Sequence, residues 1–260
     1  MGKLVRFIIM ISFISMVVAC SNQSEELNDE ETLMVSAASS LSPVMEEVTN
    51  AFVKDYPDIT VNYNYGGSGK LAQQIQQGAP VDLFLSADQN WMEVLVEQQL
   101  VDSDSIASFA SNQLIVISQK GSEFNLDELL DIPSLPVEQI AIGNPESVPA
   151  GKYAKEALQR ENVWDELESQ FVYGKDVRQV LTFVESGNTD IGFIYASDLE
   201  TSQSVETLFT IPEGLHEEIY YPAGVISTSN QKDEALSFIH FLQSNEAQTI
   251  FAQYYLQQKE

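Results

Sequence analysis

Residues 176–198 read DVRQVLTFVESGNTDIGFIYASD, and two structural periods meet inside this one stretch. Val177, Val180, Leu181 and Val184 recur at intervals of three and four, so they share one face of a helix, and Gly187 lies just past its end. Residues 190–196, DIGFIYA, then read as a short apolar strand. The stretch predicts a helix handing over directly to a strand, and the chain on either side repeats that alternation.

Upstream, TLMVSAA (32–38) reads as a buried strand and SPVMEEVTNAFVKDYP as a helix with Val44, Met45, Val48 and Phe52 on one face. Either Ser40 or Ser42 can cap that helix, Pro43 suits its first turn, and Pro57 stops it. ITVNYNY (59–65) alternates like a strand with one buried face, KLAQQIQQG is a short helix closed by Gly78, VDLFLSA (81–87) is a strand and WMEVLVEQQL (91–100) a helix. QLIVIS (113–118), QIAIGN (139–144) and FVYG are strand-like, and AGKYAKEALQREN (150–162) is a helix after Pro149. EIYYPAGVIS (218–227) is a strand interrupted by Pro222, and KDEALSFIHFLQS and EAQTIFAQYYLQQ close the chain as two helices. No internal repeat is visible. Such alternation predicts α/β layers with largely parallel strands, and ligands in such folds sit at the carboxyl ends of strands beside helix N-termini.

The chain starts MGKLVRFIIMISFISMVVAC. Lys3 and Arg6 precede an apolar run, Phe7 to Ala19, interrupted only by Ser12 and Ser15. That run is too short to span a bilayer comfortably and fits a signal peptide over residues 1–19. Its ending, Val-Val-Ala-Cys, resembles the lipobox of bacterial lipoproteins. The resemblance implies lipidation at Cys20, the one cysteine of the chain, and an anchor of two acyl chains in the membrane. Residues 20–31, with the acidic run SNQSEELNDEE, are expected to form a disordered tether.

The formal net charge of the 260 residues is −27. Removing Lys3 and Arg6 with the leader takes 12 basic residues to 10 against 39 acidic ones, close to −29. A surface of that sign repels nucleic acid and anionic headgroups. Past Cys20 there is no thiol for a disulfide or a zinc site, and His216 and His240 are the only histidines, which leaves a histidine metal site or a Ser-His-Asp triad little to work with.

Several strand-to-helix junctions carry small or hydroxyl residues. Residues 64–75, NYGGSGKLAQQI, look at first like a phosphate loop, but Asn64 stands where the first glycine belongs and Leu71 where the magnesium-binding hydroxyl belongs. A turn with Ser68 as helix cap, or an oxyanion site built on the backbone N–H groups of a helix start, remain open. Ser39 and Ser40 follow the first strand, Pro149-Ala150-Gly151 and Asp176-Val177 stand at helix starts, and Tyr195 ends a strand. Each is an ordinary capping position alone. Together they would form a cup of O–H and N–H donors, which suits a tetrahedral anion that only accepts hydrogen bonds.

The segments AASSL, LAQQIQQGAPVDLFLSAD, GNPESVPAGKYAKEAL and DVRQVLTFVESGNTDIGFIYASD resemble the periplasmic molybdate-binding proteins, the substrate-binding components of molybdate ABC transporters. The resemblance runs from about Leu33 to Tyr254 and implies a two-lobed binding protein of the type II periplasmic kind. Each lobe would be a mixed, mostly parallel sheet flanked by helices, with the oxyanion in the cleft. It implies ligand contacts from Ser40, Ser68 and Tyr195 through hydroxyls and from Ala150 and Val177 through backbone N–H groups, with Ser39 as the adjacent candidate. It further implies a monomer, no cofactor, no enzymatic activity, molybdate or tungstate as ligand, and an ABC permease as partner. Many relatives have serines or threonines where this chain has Gly-Gly-Ser-Gly-Lys, so Lys70 is either solvated or a cation at the cleft mouth. Two lobe crossings are expected, near Asn112-Gln113 and near Tyr221-Pro222, giving 32–112 plus 222–260 as one lobe and 113–221 as the other. A sulfate or phosphate binder is the rival within the class, with Asp176 as the candidate acceptor for a phosphate proton. An extracytoplasmic phosphatase would need metal ligands or an activated nucleophile, and no such cluster is visible.

Overall fold

The computed structural model describes residues 31–258. The leader, Cys20 and the tether up to residue 30 lie outside the described residues, and Glu31 already opens the first strand. In chain order the elements begin with β1 (Glu31–Ala38), α1 (Ser42–Asp55), β2 (Ile59–Gly66), α2 (Ser68–Gln76), β3 (Leu83–Leu85) and α3 (Gln89–Glu97). There follow β4 (Ala107–Ser111), β5 (Leu114–Gln119), β6 (Ile140–Gly143), α4 (Pro149–Arg160), α5 (Trp164–Leu167) and β7 (Phe171–Gly174). The chain ends with α6 (Val177–Glu185), β8 (Ile191–Tyr195), α7 (Ala196–Leu199), β9 (Val205–Thr210), β10 (Tyr220–Val225), α8 (Lys232–Leu242) and α9 (Asn245–Gln253).

The strands form two five-stranded sheets, ordered β2-β1-β3-β10-β4 and β7-β6-β8-β5-β9. In the first, β1 runs parallel to β2 and β3, while β10 opposes β3 and β4. In the second, β6 runs parallel to β7 and β8, while β5 opposes β8 and β9. Each sheet therefore has four strands in one direction and a single reversed strand in the fourth place, so the mostly parallel character expected from the alternation holds.

The helices cover the sheets with the faces their spacing predicts. Val44, Met45, Val48 and Phe52 of α1 are buried, and Phe52 meets the Phe238 ring edge-on at 4.9 Å. Val177, Val180, Leu181 and Val184 of α6 are buried in the same way. Truncating a buried phenylalanine such as Phe52 to alanine costs about 3–5 kcal/mol. Two strands escape the sequence reading. β4, ASFAS, has too little apolar contrast to show a period, and β9 is largely half-exposed. Tyr65, expected on the buried face of β2, is exposed because β2 is an edge strand.

The chain passes from the first sheet to the second between Ser111 and Leu114, and returns between Thr210 and Tyr220. Tyr220 and Tyr221 already pair with Ser111 and Ala110, so both stand in the first sheet. Pro222 has no N–H to give the ladder, and the register shifts at Tyr221/Pro222.

Candidate functional site

The carboxyl ends of the parallel strands of both sheets face a common pocket. β1 ends at Ala38 and a tight turn of Ser39–Leu41 leads into α1. β2 ends at Gly66 and α2 starts at Ser68. In the second sheet, α4 starts at Pro149, α6 at Val177, and β8 ends at Tyr195. The pocket is lined by Ser39, Ser40, Ser68, Ala150, Val177 and Tyr195, together with Ala38, Gly66, Gly67, Ala87, Val148 and Pro149. Its empty volume is about 180 Å³ including the open mouth. All six residues singled out from the sequence thus come together at one place, contributed by both sheets. Among the described residues no Lys, Arg, His, Asp or Glu lines it.

The donors are held in specific ways. Ser68 is the first residue of α2, after Gly67 at the cap position, so of the two roles the sequence left open its side chain does not serve as the helix cap. Its Oγ accepts the Ala87 N–H at 3.0 Å instead. With a lone pair so engaged, the hydroxyl proton is left to point elsewhere. Ala150 and Val177 lie in the first turns of α4 and α6, where backbone N–H groups have no intrahelical acceptor and the helix dipole favours an anion. Asp176 is committed to its own helix, its Oδ1 accepting from Gln179 N at 2.8 Å, and it does not line the pocket. Lys70 is exposed and also outside the lining.

Tyr195 is the most informative member. It is 1% exposed, and its hydroxyl is a buried polar atom without a hydrogen-bond partner. Leaving such a group unpaired costs about 1–3 kcal/mol. Burial, reinforced by Tyr221, Tyr153, Asp88 and Asp198 nearby, pushes its phenol well above the usual range, so it remains a neutral O–H donor.

Ser40 belongs to a chain of bonds that the sequence does not announce. Its Oγ lies 2.9 Å from the Tyr221 hydroxyl, which receives Asn112 Nδ2 at 3.0 Å. Neither Tyr221 nor Asn112 sits in a recognisable pattern; Asn112 occupies the short link between β4 and β5.

The glycine-rich turn has a different purpose from a phosphate loop. Gly69 N–H donates to Ser147 O at 3.0 Å, tying the first sheet's turn to the loop before α4. A Cβ on Gly67 would stand 2.9 Å from Ser147 O and 3.1 Å from Lys175 O, and one on Gly69 2.8 Å from Ser147 Cα. The glycines therefore allow the two sides of the cleft to meet. Lys152 Nζ, 3.5 Å from the buried Asp88, and the Tyr153 hydroxyl, 3.4 Å from Ala87 O, cross the same gap, and Glu217 holds Lys152 from its own side at 2.8 Å. None of these crossing contacts was read from the sequence. Among the described residues no group of three or more His, Cys, Asp or Glu is placed to hold a metal ion.

Comparison with known proteins agrees with this architecture. A Bacillus subtilis chain, YvgL, provisionally named a substrate-binding lipoprotein of an ABC transporter, is 36% identical over 95% of both chains. The molybdate-binding protein ModA of Escherichia coli is 36% identical, covering 88% of this chain and 90% of its own. The structure of the Azotobacter vinelandii periplasmic molybdate-binding protein superposes with a TM-score of 0.79 at 24% identity, over 88% of this chain and all of that one, which shows the shared fold. Residues 33–257 match the model of the bacterial extracellular solute-binding proteins, and the chain belongs to that family.

Proposed function

We propose that this protein captures molybdate, and tungstate with it, in the pocket between the two sheets and presents it to the permease of an ABC transporter. The observation that carries this reading is the pocket itself. It gathers the Ser40, Ser68 and Tyr195 hydroxyls and the helix starts at Ala150 and Val177, leaves one phenol buried and unpaired, and has no ionisable carboxylate or cation in its lining. A tetrahedral dianion accepts from every side, so a cup of donors fits it. Monohydrogen phosphate brings a proton that needs an acceptor, and Asp176, the candidate for that role, is occupied as a helix cap. The 36% identity to a molybdate-binding relative supports the same ligand.

In this reading residues 32–112 and 222–260 form one lobe with Ser39, Ser40 and Ser68. Residues 113–221 form the other with Ala150, Val177 and Tyr195, and at its end Tyr220 and Tyr221 pair with Ser111 and Ala110. An anion touching both lobes stabilises the closed arrangement, which a permease can distinguish from the open one. The protein acts as a monomer, held to the outer face of the cell membrane through lipidated Cys20. Calorimetry with molybdate, tungstate, sulfate and phosphate tests the ligand. Molybdate and tungstate are expected to bind at least a hundredfold more tightly than the other two. Sulfate or phosphate binding as tightly as molybdate would overturn the assignment.

A further inference from the structure

The bond chain behind Ser40 starts from a fixed donor. Asn112 is oriented by its Oδ1, which accepts the Gln113 N–H at 2.8 Å. Its Nδ2 then faces two oxygens, Tyr221 OH at 3.0 Å and Ser197 Oγ at 2.8 Å, and uses both its protons. The phenol of Tyr221 accepts from Asn112, and in the Tyr221–Ser40 pair, 2.9 Å apart, either hydroxyl can donate; the relay uses the arrangement in which the phenol proton goes to Ser40 Oγ. Once Ser40 accepts that bond, its hydroxyl proton is left for the pocket. Ser40, Asn112, Ser197 and Tyr221 are all buried, where a bond chain polarises its members and an unsatisfied one is costly. Tyr221 and Asn112 do not line the pocket.

We propose that Asn112 and Tyr221 are positioning residues of the anion site, which hold the Ser40 hydroxyl as a donor to the bound oxyanion through the relay Asn112 to Tyr221 to Ser40. The proposal rests on the reading of Ser40 as a ligand donor. Asn112 also places the relay at the link between the sheets, bonded to Ser197 of α7 on one side and Tyr221 of β10 on the other. Without the phenol proton Ser40 regains a free rotor, and its hydroxyl is no longer pre-aimed.

The test is a double-mutant cycle, read by molybdate calorimetry on the full-length protein in detergent. Ser40→Ala is expected to weaken binding at least tenfold. Tyr221→Phe, which keeps the ring and removes only the relay's middle hydroxyl, is expected to weaken it about three- to tenfold. In the Ser40→Ala background Tyr221→Phe should have no further effect, because there is no hydroxyl left to aim. A purely structural role for Tyr221 would repeat its loss in both backgrounds, and that result, or a Tyr221→Phe protein binding like the parent, overturns the relay. An unaffected Ser40→Ala protein instead removes Ser40 from the site and the relay with it. If Tyr221→Phe does not fold, Asn112→Asp serves. It keeps the Gln113 contact but turns the donor into an acceptor, which reverses the relay. Its loss must be smaller in the Ser40→Ala background than in the parent, and equal losses overturn the proposal.

Discussion

Gly67→Ala separates closure from folding. Gly67 has φ −65° and ψ 135°, an extended conformation open to any L-residue, so alanine introduces no backbone strain. The atoms its Cβ would meet are Ser147 O at 2.9 Å, Lys175 O at 3.1 Å and Val148 Cγ2 at 3.2 Å, all on the far side of the cleft. With the cleft open those contacts vanish. With it closed, two backbone carbonyls that cannot rotate away must shift. Overpacking of this kind costs roughly 1–3 kcal/mol. Because only the closed form bears the cost, it subtracts directly from the ligand's preference for that form, and molybdate affinity should fall by about 5- to 150-fold. Thermal stability without ligand should match the parent's or exceed it slightly, since alanine restricts the unfolded chain more than glycine does. Calorimetry gives the affinity, and small-angle scattering with and without molybdate gives the contraction on binding. An alanine variant that binds within twofold of the parent would refute the idea that these glycines exist for lobe contact. An equally weakened variant that has also lost stability would show that the clash is not confined to the closed form.

Other residues give sharper signs than magnitudes. Tyr195→Phe should weaken molybdate binding by about tenfold to a hundredfold, from roughly 1.5–3 kcal/mol for a bond to a charged acceptor, yet leave the ligand-free melting temperature unchanged or higher, since the deleted hydroxyl is unpaired there. Ser68→Ala should cost both affinity and ligand-free stability, because the Ala87 N–H loses its acceptor; a variant destabilised without any loss of binding would remove Ser68 from the site. Cys20→Ala should release the protein from membranes in fractionation while leaving affinity intact, and undiminished membrane retention would count against the lipid anchor. Asp198 is buried, and desolvation pushes its carboxyl up to about 7 against the pull of Arg178 at 3.8 Å. The native state therefore keeps this proton to higher pH than the unfolded chain, and the resulting stability is full below pH about 4 and lost as pH rises to about 7. Asp198→Asn should raise the melting temperature relative to the parent more at pH 8 than at pH 5, and a difference independent of pH would contradict the burial argument.

What could be read from the sequence follows the range of the interactions involved. α1 and α6 were legible because Val44, Met45, Val48, Phe52, Val177, Val180, Leu181 and Val184 repeat with the helical period, and that period exists only because one face is buried. β4 was not, since ASFAS is recruited by β10, more than a hundred residues later, and its own side chains carry no alternation. The site was legible as a set of strand-to-helix junctions, each with a donor at the helix start. Its supporting bonds were not. The partners of Ser40 and Ser68 are 181 and 19 residues away, and a Tyr221 in a strand or an Asn112 in a short link has no local mark. Ser68 shows the limit well: a serine after glycines at a helix start reads as a cap, and only the fold reveals that its oxygen is claimed by Ala87.

A chain of charge −27 that binds a dianion looks self-defeating only if charge is counted without distance. Asp176 and Asp88, next in the chain to the lining residues Val177 and Ala87, are engaged elsewhere, Asp176 on Gln179 and Asp88 on Asn90 N and Lys152. The pocket wall instead presents the positive ends of α2, α4 and α6, three helices of 9, 12 and 9 residues, and each terminus carries an effective charge of about +0.5. Across a buried contact these partial charges act at low dielectric, whereas the acidic surface is screened within about 8 Å at physiological ionic strength. The acidic surface then governs approach and the fixed dipoles govern capture. Added salt should accordingly speed association while leaving the dissociation rate nearly unchanged, and stopped-flow measurement at two ionic strengths tests that division. A dissociation rate that rose in step with the association rate would place the acidic groups inside the site's own field.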